Sequence, residues 1–253
     1  MSGGVLSGRG GNIRLITLDL DNTLWPVEPV IRGAEQEMRR WLGEQVPGFN
    51  ERYPFEALAP FREAIVQAQP ALAHDLSQLR LRVIEQALLA FGCDRAAASA
   101  TATRAFEIFI AGRHRVQYYP GVEALLARLA QRYPLAALSN GNADVARLSI
   151  APSFEFSCSA ADVGASKPSP DMFLAALARA GVPPEQAVHV GDNLVDDIQG
   201  AHDVGMNTIW LDWHDAHPPA ENVRQPSVRI RDIAELERGI DQLEAGLPSA
   251  TAP

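Results

Sequence analysis

Polar side chains stand at the ends of three apolar segments of this sequence. Residues 13–20 run into Asp-Leu-Asp-Asn-Thr, and two later apolar segments also end in polar residues. The polar residues at these ends are Asp19, Asp21, Thr23, Ser139, Asn140, Asp192, Asp196 and Asp197. Ligands of an open parallel sheet bind beyond the carboxyl ends of its strands. We therefore expect these side chains to meet at one edge of a sheet.

A carboxylate cluster of this size needs a compensating cation, because like charges repel strongly when they are partly buried. A hard divalent ion with oxygen ligands is the usual solution, and Mg²⁺ is the default choice. Lys167, the one lysine of the chain, precedes Pro168, which favours an extended conformation at a loop end. Its ammonium group could offset further negative charge and hold a substrate phosphate.

The segments that position these residues alternate between strands and helices. Apolar runs predict strands at residues 13–20, 135–138, 187–190, 208–211 and 228–230, and helices are predicted at 122–131, from Ser169 and near Ala201. This alternation indicates a parallel sheet with right-handed crossovers. The predicted fold class is therefore α/β, with a Rossmann-like parallel sheet core.

A long helical segment interrupts the alternation after the first strand. Between residues 28 and 116 the apolar residues recur at helical spacing, most clearly over residues 75–91. We interpret this segment as an inserted all-helical cap domain, since its length suits a small domain. The catalytic core then comprises residues 13–27 and 117–247. Residues 1–12 and 248–253 are predicted to be flexible tails.

Composition limits the partners and the location of the protein. The 22 basic and 31 acidic residues give a net charge of −9, which argues against nucleic acid as a partner. No apolar run approaches the ~20 residues of a membrane helix, and no secretory signal is visible. Cys93 and Cys158 offer neither a disulfide scaffold nor a CxxC metal site. We predict a cytoplasmic monomer or homodimer that acts on a small molecule and not on a membrane.

The order of the polar motifs resembles that of the haloacid dehalogenase (HAD) superfamily. Residues 13–198 contain Asp-Leu-Asp-Asn-Thr, Leu-Ser-Asn-Gly, Ser-Lys-Pro and Gly-Asp-Asn-Leu-Val-Asp-Asp in the family's order. The resemblance implies that Asp19 is a nucleophile that becomes an aspartyl phosphate, and that Asp21 is the general acid and base. The chemistry is reasonable, because a carboxylate can attack phosphorus and form a mixed anhydride that water then hydrolyses. A leaving alkoxide needs the proton that Asp21 could supply.

The same resemblance implies how phosphate and metal are bound. Ser139 would donate a hydrogen bond to the phosphate, with Thr23 and Asn140 beside it, and Lys167 would be the stabilising catalytic cation. The implied Mg²⁺ ligands are Asp19, Asp192 and the backbone carbonyl of Asp21. Phosphoryl transfer depends mainly on positioning and charge neutralisation, which such a set could supply.

Two features of the motifs have more than one interpretation. Asp197 fits the trailing acidic position of the last motif better than Asp196 does, but the two are adjacent and both stay candidates. Trp25, just after the first motif, could line the entrance of the active site or pack at the hinge.

A narrower resemblance concerns the substrate. The segments Glu-Pro-Val-Ile at residues 28–31 and Arg-Val-Ile-Glu-Gln-Ala at residues 82–87 are similar to a proteobacterial branch of helical-cap HAD phosphatases. That branch acts on 5-amino-6-(5-phospho-D-ribitylamino)uracil in riboflavin biosynthesis. The predicted function is thus Mg²⁺-dependent hydrolysis of a small phosphomonoester, with this uracil derivative as the candidate.

Three alternatives to this function remain open. A 2-haloacid dehalogenase also attacks with an aspartate, but relatives of that type lack the second acidic residue of the first motif, here Asp21. A non-catalytic HAD-fold binding module would have no use for the costly cluster of Asp19, Asp21, Lys167 and Asp192. A phosphotransferase, which passes the phosphoryl group to an acceptor other than water, is compatible with the same residues.

Overall fold

The computed structural model describes residues 12–213 and 224–247, which form two compact units. One unit comprises residues 12–26, 118–213 and 224–247, and the other is Val27–Gln117. The segments predicted to be tails, residues 1–12 and 248–253, lie outside the described residues except for Asn12. Among the helices described, none is long and apolar enough to cross a membrane.

In the described part of the chain, the first unit is built on a six-stranded parallel sheet. The strands are β1 (Leu15–Leu18), β2 (Leu135–Ser139), β3 (Phe156–Ser159), β4 (Ala187–Gly191), β5 (Asn207–Leu211) and β6 (Val228–Ile230). Their order across the sheet is β3-β2-β1-β4-β5-β6. This is a Rossmann-like order. Successive strands are added on one side of β1 up to β3 and on the other side from β4 to β6, and such sheets bind their ligands at this switch point between β1 and β4.

Burial explains which strands the sequence pattern could identify. Every residue of β1, β2 and β4 is buried, and strands covered on both faces read as continuous apolar runs. The missed strand is β3, whose sequence Phe-Ser-Cys-Ser lies at an edge of the sheet and buries only Phe156. A short, polar edge strand leaves no apolar run to recognise.

Helices account for most of the remaining described residues. In chain order they are α1 (Val27–Gln45), α2 (Phe49–Arg52), α3 (Ala59–Ala68), α4 (Leu76–Phe91), α5 (Arg95–Arg113), α6 (Val122–Leu129), α7 (Ala160–Val163), α8 (Asp171–Ala180), α9 (Gly200–Asp203) and α10 (Leu236–Gly246). The helix predicted from Ser169 begins two residues later, at Asp171. Ser169 does not cap it, because its hydroxyl donates to the side chain of Asp171.

The second unit is helical throughout and has its own core. It contains α1 to α5 and two short 3₁₀ segments. Asp75 and Asp94 cap the N-termini of α4 and α5 by accepting backbone N–H bonds. Its buried apolar residues include Ala34, Met38, Ile84, Leu88, Ala102 and Phe109. The predicted fold class, a parallel α/β core with an all-helical insertion, is confirmed.

Candidate active site

Three strand ends at the switch point of the sheet carry predicted site residues. Asp19 follows β1, Asp192 follows β4, and Ser139 is the last residue of β2. Since β1 pairs in parallel with both β2 and β4, these three strand ends lie next to one another at the carboxyl end of the sheet. The N–H of Asp19 donates to the carbonyl of Val190 at 2.9 Å, which extends the β1–β4 pairing to the carboxylate.

Lys167 lies at the centre of this cluster, and its side chain is only 1% exposed. Its Nζ donates to Asp19 Oδ1 at 2.7 Å, to Asp197 Oδ1 at 2.6 Å and to the carbonyl of Leu138 at 2.8 Å. An ammonium group has three donors, so all of them are used. The lysine therefore joins the ends of β1 and β2 to the segment that follows β4.

Asn140 holds the backbone of this lysine. Its Oδ1 accepts the N–H of Lys167 at 2.7 Å, and its Nδ2 donates to the carbonyl of the same residue at 3.0 Å. The amide thus satisfies both polar backbone groups of Lys167 and fixes the direction of its side chain. Substrate binding by Asn140 stays a prediction.

Thr23 lies between two carboxylates and is fully buried. Its Oγ1 is 3.1 Å from Asp19 Oδ2 and 3.3 Å from Asp192 Oδ1. A hydroxyl has one proton, so it donates to only one of the two at a time. The structure places Thr23 against the carboxylates, and its contact with substrate stays a prediction.

The adjacent acids Asp196 and Asp197 have different surroundings. Asp197 is buried, accepts from Lys167 through Oδ1, and accepts the N–H of Asn193 through Oδ2 at 3.0 Å. Asp196 is half-buried, and its Oδ2 lies 3.5 Å from the amide of Asn140. The carboxyl group of Asp197 lies directly against the backbone at Gly191. A Cβ at residue 191 would collide with this carboxyl group, so the contact requires glycine.

His189 is a further member of the cluster that motif reasoning did not select. This fully buried side chain places Nε2 3.2 Å from Asp197 Oδ1 and Nδ1 2.8 Å from Thr17 Oγ1. Burial lowers the pKa of His189, although Asp197 opposes the effect. A neutral ring that donates from Nε2 to the carboxylate has an acceptor at Nδ1, which shares the one hydroxyl proton of Thr17 with the carbonyl of Val188 at 3.3 Å. A polar residue inside an apolar strand was the available sequence signal.

Asp21 and Ser139 complete the predicted set. Asp21 is half-buried, and its Oδ1 accepts a hydrogen bond of 2.9 Å from the indole Nε1 of Trp25. Ser139 is buried, and its Oγ accepts the N–H of Gly141 at 2.9 Å. The hydroxyl proton of Ser139 is not used in this bond, and its donation to a phosphate stays a prediction.

The charges of the cluster fit a hard divalent cation. Oxygen atoms of Asp19, Asp192 and Asp197 lie within 4.8 Å of one another, beside the single ammonium of Lys167. Burial raises the pKa of Asp19 to about 8, with Asp197 adding to the effect and Lys167 opposing it. Burial and Asp197 also raise the pKa of Asp192 to about 6. A bound cation would reverse these shifts, because it favours ionised carboxylates.

We expect Lys167 to remain protonated at unusually high pH. Burial alone would lower the pKa of Lys167, but Asp19 and Asp197 outweigh burial and raise it above its ordinary value. Since the chain has no other lysine, ¹³C-lysine labelling yields one side-chain signal. Its Cε shift should still be that of the ammonium form at pH ~10.4, where an ordinary lysine is half deprotonated. A midpoint at or below that pH would contradict the observed ion pairs.

Comparisons with known proteins agree with the motif order. Residues 13–205 match the family of haloacid dehalogenase-like hydrolases. The chain is 36% identical over 201 residues to the 5-amino-6-(5-phospho-D-ribitylamino)uracil phosphatase YigB of Escherichia coli, covering 79% of this chain and 84% of the relative. It is 32% identical over 251 residues to the phosphoserine phosphatase of Thermus thermophilus, covering 88% of this chain and 98% of the relative.

A solved structure is also similar over nearly the whole chain. It is named as the 2-haloacid dehalogenase of Pseudomonas syringae pv. tomato and is 41% identical in sequence. The superposition has a TM-score of 0.87 and covers 91% of this chain and 99% of that one. The similar proteins therefore carry names of two reaction types, phosphate ester hydrolysis and dehalogenation.

Proposed function

We propose that this chain, which belongs to the haloacid dehalogenase-like hydrolase family as the motif order predicted, is an enzyme of one reaction type. The proposed activity is Mg²⁺-dependent hydrolysis of a phosphomonoester. The observation that carries this proposal is the bond from Lys167 Nζ to Asp19 Oδ1, with Asp197 on the same ammonium. This contact holds a buried carboxylate in one orientation beside a cation that would offset the charge of a substrate phosphate. Two relatives named as phosphatases, at 36% and 32% identity, support it.

In the proposed reaction, Asp19 attacks the phosphorus of a phosphate ester. The bond from phosphorus to the ester oxygen breaks, and the leaving alkoxide takes a proton from Asp21. A water molecule then attacks the aspartyl phosphate while Asp21 takes back a proton. This second step releases inorganic phosphate and restores the carboxylate of Asp19.

The other residues bind and neutralise the phosphate in this proposal. Ser139 would donate to its oxygen atoms, and the charge of Lys167 beside Asp19 would offset the charge of the phosphate. Asn140 keeps Lys167 in place through the two backbone hydrogen bonds. Asp19, Asp192 and the backbone carbonyl of Asp21 would hold Mg²⁺, which when bound would neutralise phosphate charge.

Asp197 is our candidate for the second acid of the last motif, and variants of the two adjacent acids test this. Asp197→Asn replaces one of the two carboxylates that bind the ammonium of Lys167 by a neutral amide, so we expect kcat to fall about 10²-fold. Asp196→Asn, the matched control, should change kcat by less than about 3-fold, because its contact with Asn140 is long. Equal losses of kcat in the two variants would contradict the assignment of Asp197 rather than Asp196 as the second acid.

The candidate physiological substrate is 5-amino-6-(5-phospho-D-ribitylamino)uracil, on the basis of the named E. coli relative. Phosphoserine is a second ester to test, because it is the substrate in the name of the Thermus relative. The helical unit Val27–Gln117 is our candidate for the cap that selects among such esters. It has its own core, so its surface can vary without disturbing the carboxylate cluster.

Dehalogenation is the second candidate function, because the similar structure from P. syringae carries that name. A halide leaves without a proton, so a dehalogenase has no chemical need for the carboxyl group of Asp21. The acidic residue at this position therefore favours an ester with an alkoxide leaving group.

One assay separates the two functions. Purified protein is incubated with the uracil derivative, phosphoserine or p-nitrophenyl phosphate, in Mg²⁺ and in EDTA, and phosphate release is measured. A parallel reaction with 2-chloropropionate is followed by chloride release. We expect phosphate release that requires Mg²⁺ and no chloride. Chloride release without phosphate release would replace the proposed function by dehalogenation, and neither product would contradict both.

A further inference from the structure

We infer that Trp25 is a positioning residue for Asp21, and that its indole N–H directs the proton of this acid to Oδ2. The inference rests on the proposed function, in which Asp21 is the general acid and base. Its basis is the 2.9 Å hydrogen bond from Trp25 Nε1 to Asp21 Oδ1. Trp25 is fully buried, whereas Asp21 is half-buried and remains accessible to a substrate.

The backbone between these two residues brings the indole to the carboxyl group. Asn22 has a φ of 61°, in the left-handed region that Asn tolerates better than most residues. The backbone turns there, and Asp21 and Trp25 form a parallel β-bridge, with the N–H of Asn22 donating to the carbonyl of Trp25 at 2.7 Å. A four-residue separation in sequence becomes a direct side-chain contact.

Contacts on both sides hold this turn in place. The indole of Trp213 donates to the carbonyl of Asn22 at 2.7 Å, and the N–H of Tyr119 donates to the carbonyl of Leu24 at 3.0 Å. The ring of Trp25 also packs edge-on against Tyr118, with ring centroids 5.8 Å apart. A buried ring held in this way offers its one donor from a fixed position.

The chemistry of the two groups determines where the proton resides. An indole N–H only donates, so the oxygen that it contacts must act as an acceptor. In a protonated carboxyl group the carbonyl oxygen is the stronger acceptor and the other oxygen carries the hydrogen. Oδ1 therefore remains the carbonyl oxygen, and Oδ2 gives its proton to the leaving alkoxide. The same indole bond stabilises the carboxylate that later takes a proton from water.

Leaving groups of different basicity provide the test. An alkyl phosphate releases a basic alkoxide that needs the proton, whereas p-nitrophenyl phosphate releases a stable phenolate that does not. In Trp25→Phe, kcat/KM for the alkyl ester that wild type hydrolyses fastest should fall about 10-fold to 100-fold. For p-nitrophenyl phosphate the fall should stay below about 3-fold. Asp21→Asn should show the same selectivity with a larger amplitude.

Tyr118→Leu is the packing control. It loosens the ring contact of Trp25 without removing the indole donor, so the ratio of kcat/KM between the two substrates should stay close to the wild-type ratio. An equal loss for the two substrates in Trp25→Phe, or no loss, would overturn the inference while Asp21→Asn still supports the proposed function. If wild type releases no phosphate from either ester with Mg²⁺, the proposed function and the inference both fail.

A second measurement applies if Trp25→Phe does not fold. The chain has four tryptophans, so ¹⁵N-tryptophan labelling yields four indole N–H signals. Replacing the acceptor in Asp21→Ala should move one of them upfield, because its hydrogen bond to a carboxyl oxygen is lost. Four unchanged signals would overturn the inference.

Discussion

Replacement of Asp19 by asparagine should abolish phosphate release, with kcat lowered by at least about 10⁴-fold, as expected when a nucleophile is removed. The amide has nearly the same shape but cannot form the aspartyl phosphate. The measurement is inorganic phosphate release at saturating Mg²⁺ and substrate. Asp241→Asn, which removes an exposed acid paired with Arg132, is the control and should retain full activity.

The same variant should change the dependence of stability on pH. The pKa of Asp19, raised mainly by burial to about 8, lies above the ordinary value of 3.8. The folded protein therefore binds this proton more tightly than the unfolded chain does, and wild type loses stability as pH rises from 3.8 to about 8. Asp19→Asn lacks this loss. In EDTA, the melting temperature of Asp19→Asn minus that of wild type should therefore increase as the pH rises from 3.8 to about 8.

Two outcomes would contradict these expectations. Phosphate release by Asp19→Asn within about 10-fold of wild type would exclude a covalent role for this residue. A constant difference in melting temperature across the same pH range would show that burial and the neighbouring carboxylates do not disfavour its charge.

Replacement of Lys167 by methionine should reduce both activity and stability. The variant leaves Asp19 and Asp197 buried without the ammonium that they share. Removing one partner of a buried ion pair typically lowers the free energy of unfolding by about 3–5 kcal/mol. Loss of the cation beside the nucleophile, which in the proposed reaction offsets the charge of the transferred phosphate, should lower kcat by about 10²-fold to 10³-fold. Urea denaturation and phosphate release provide the two measurements.

Two other variants make this result specific. Arg238→Met removes a cation from an exposed pair with Glu235 and should change stability by less than about 1 kcal/mol. Lys167→Arg keeps the charge but should not restore activity, because a planar guanidinium cannot donate to three oxygen atoms around one nitrogen. Full activity in Lys167→Arg would show that charge alone is required. Unchanged stability in Lys167→Met would show that the ion pairs contribute little.

The strand ends that build the site were predictable from sequence for a physical reason. A strand buried on both faces must be apolar, so the first polar residues after it mark the carboxyl end. Asp19 and Asp192 were identified in this way, and parallel pairing through β1 and β4 brings them together. The same reasoning missed β3, which lies at the edge and is mostly not buried.

Sequence alone thus determined the α/β fold class with its helical insertion and predicted the chemical types of the candidate site residues, because these follow from local periodicity and motif order. Only the tertiary structure decided their hydrogen-bond partners. Lys167 meets Asp19 across 148 positions of sequence, and Asp197 rather than Asp196 faces that lysine. The indole of Trp25 is directed to Asp21 by a turn at Asn22. Such contacts depend on how segments that are distant in sequence pack together, and a local sequence pattern contains no information about that packing.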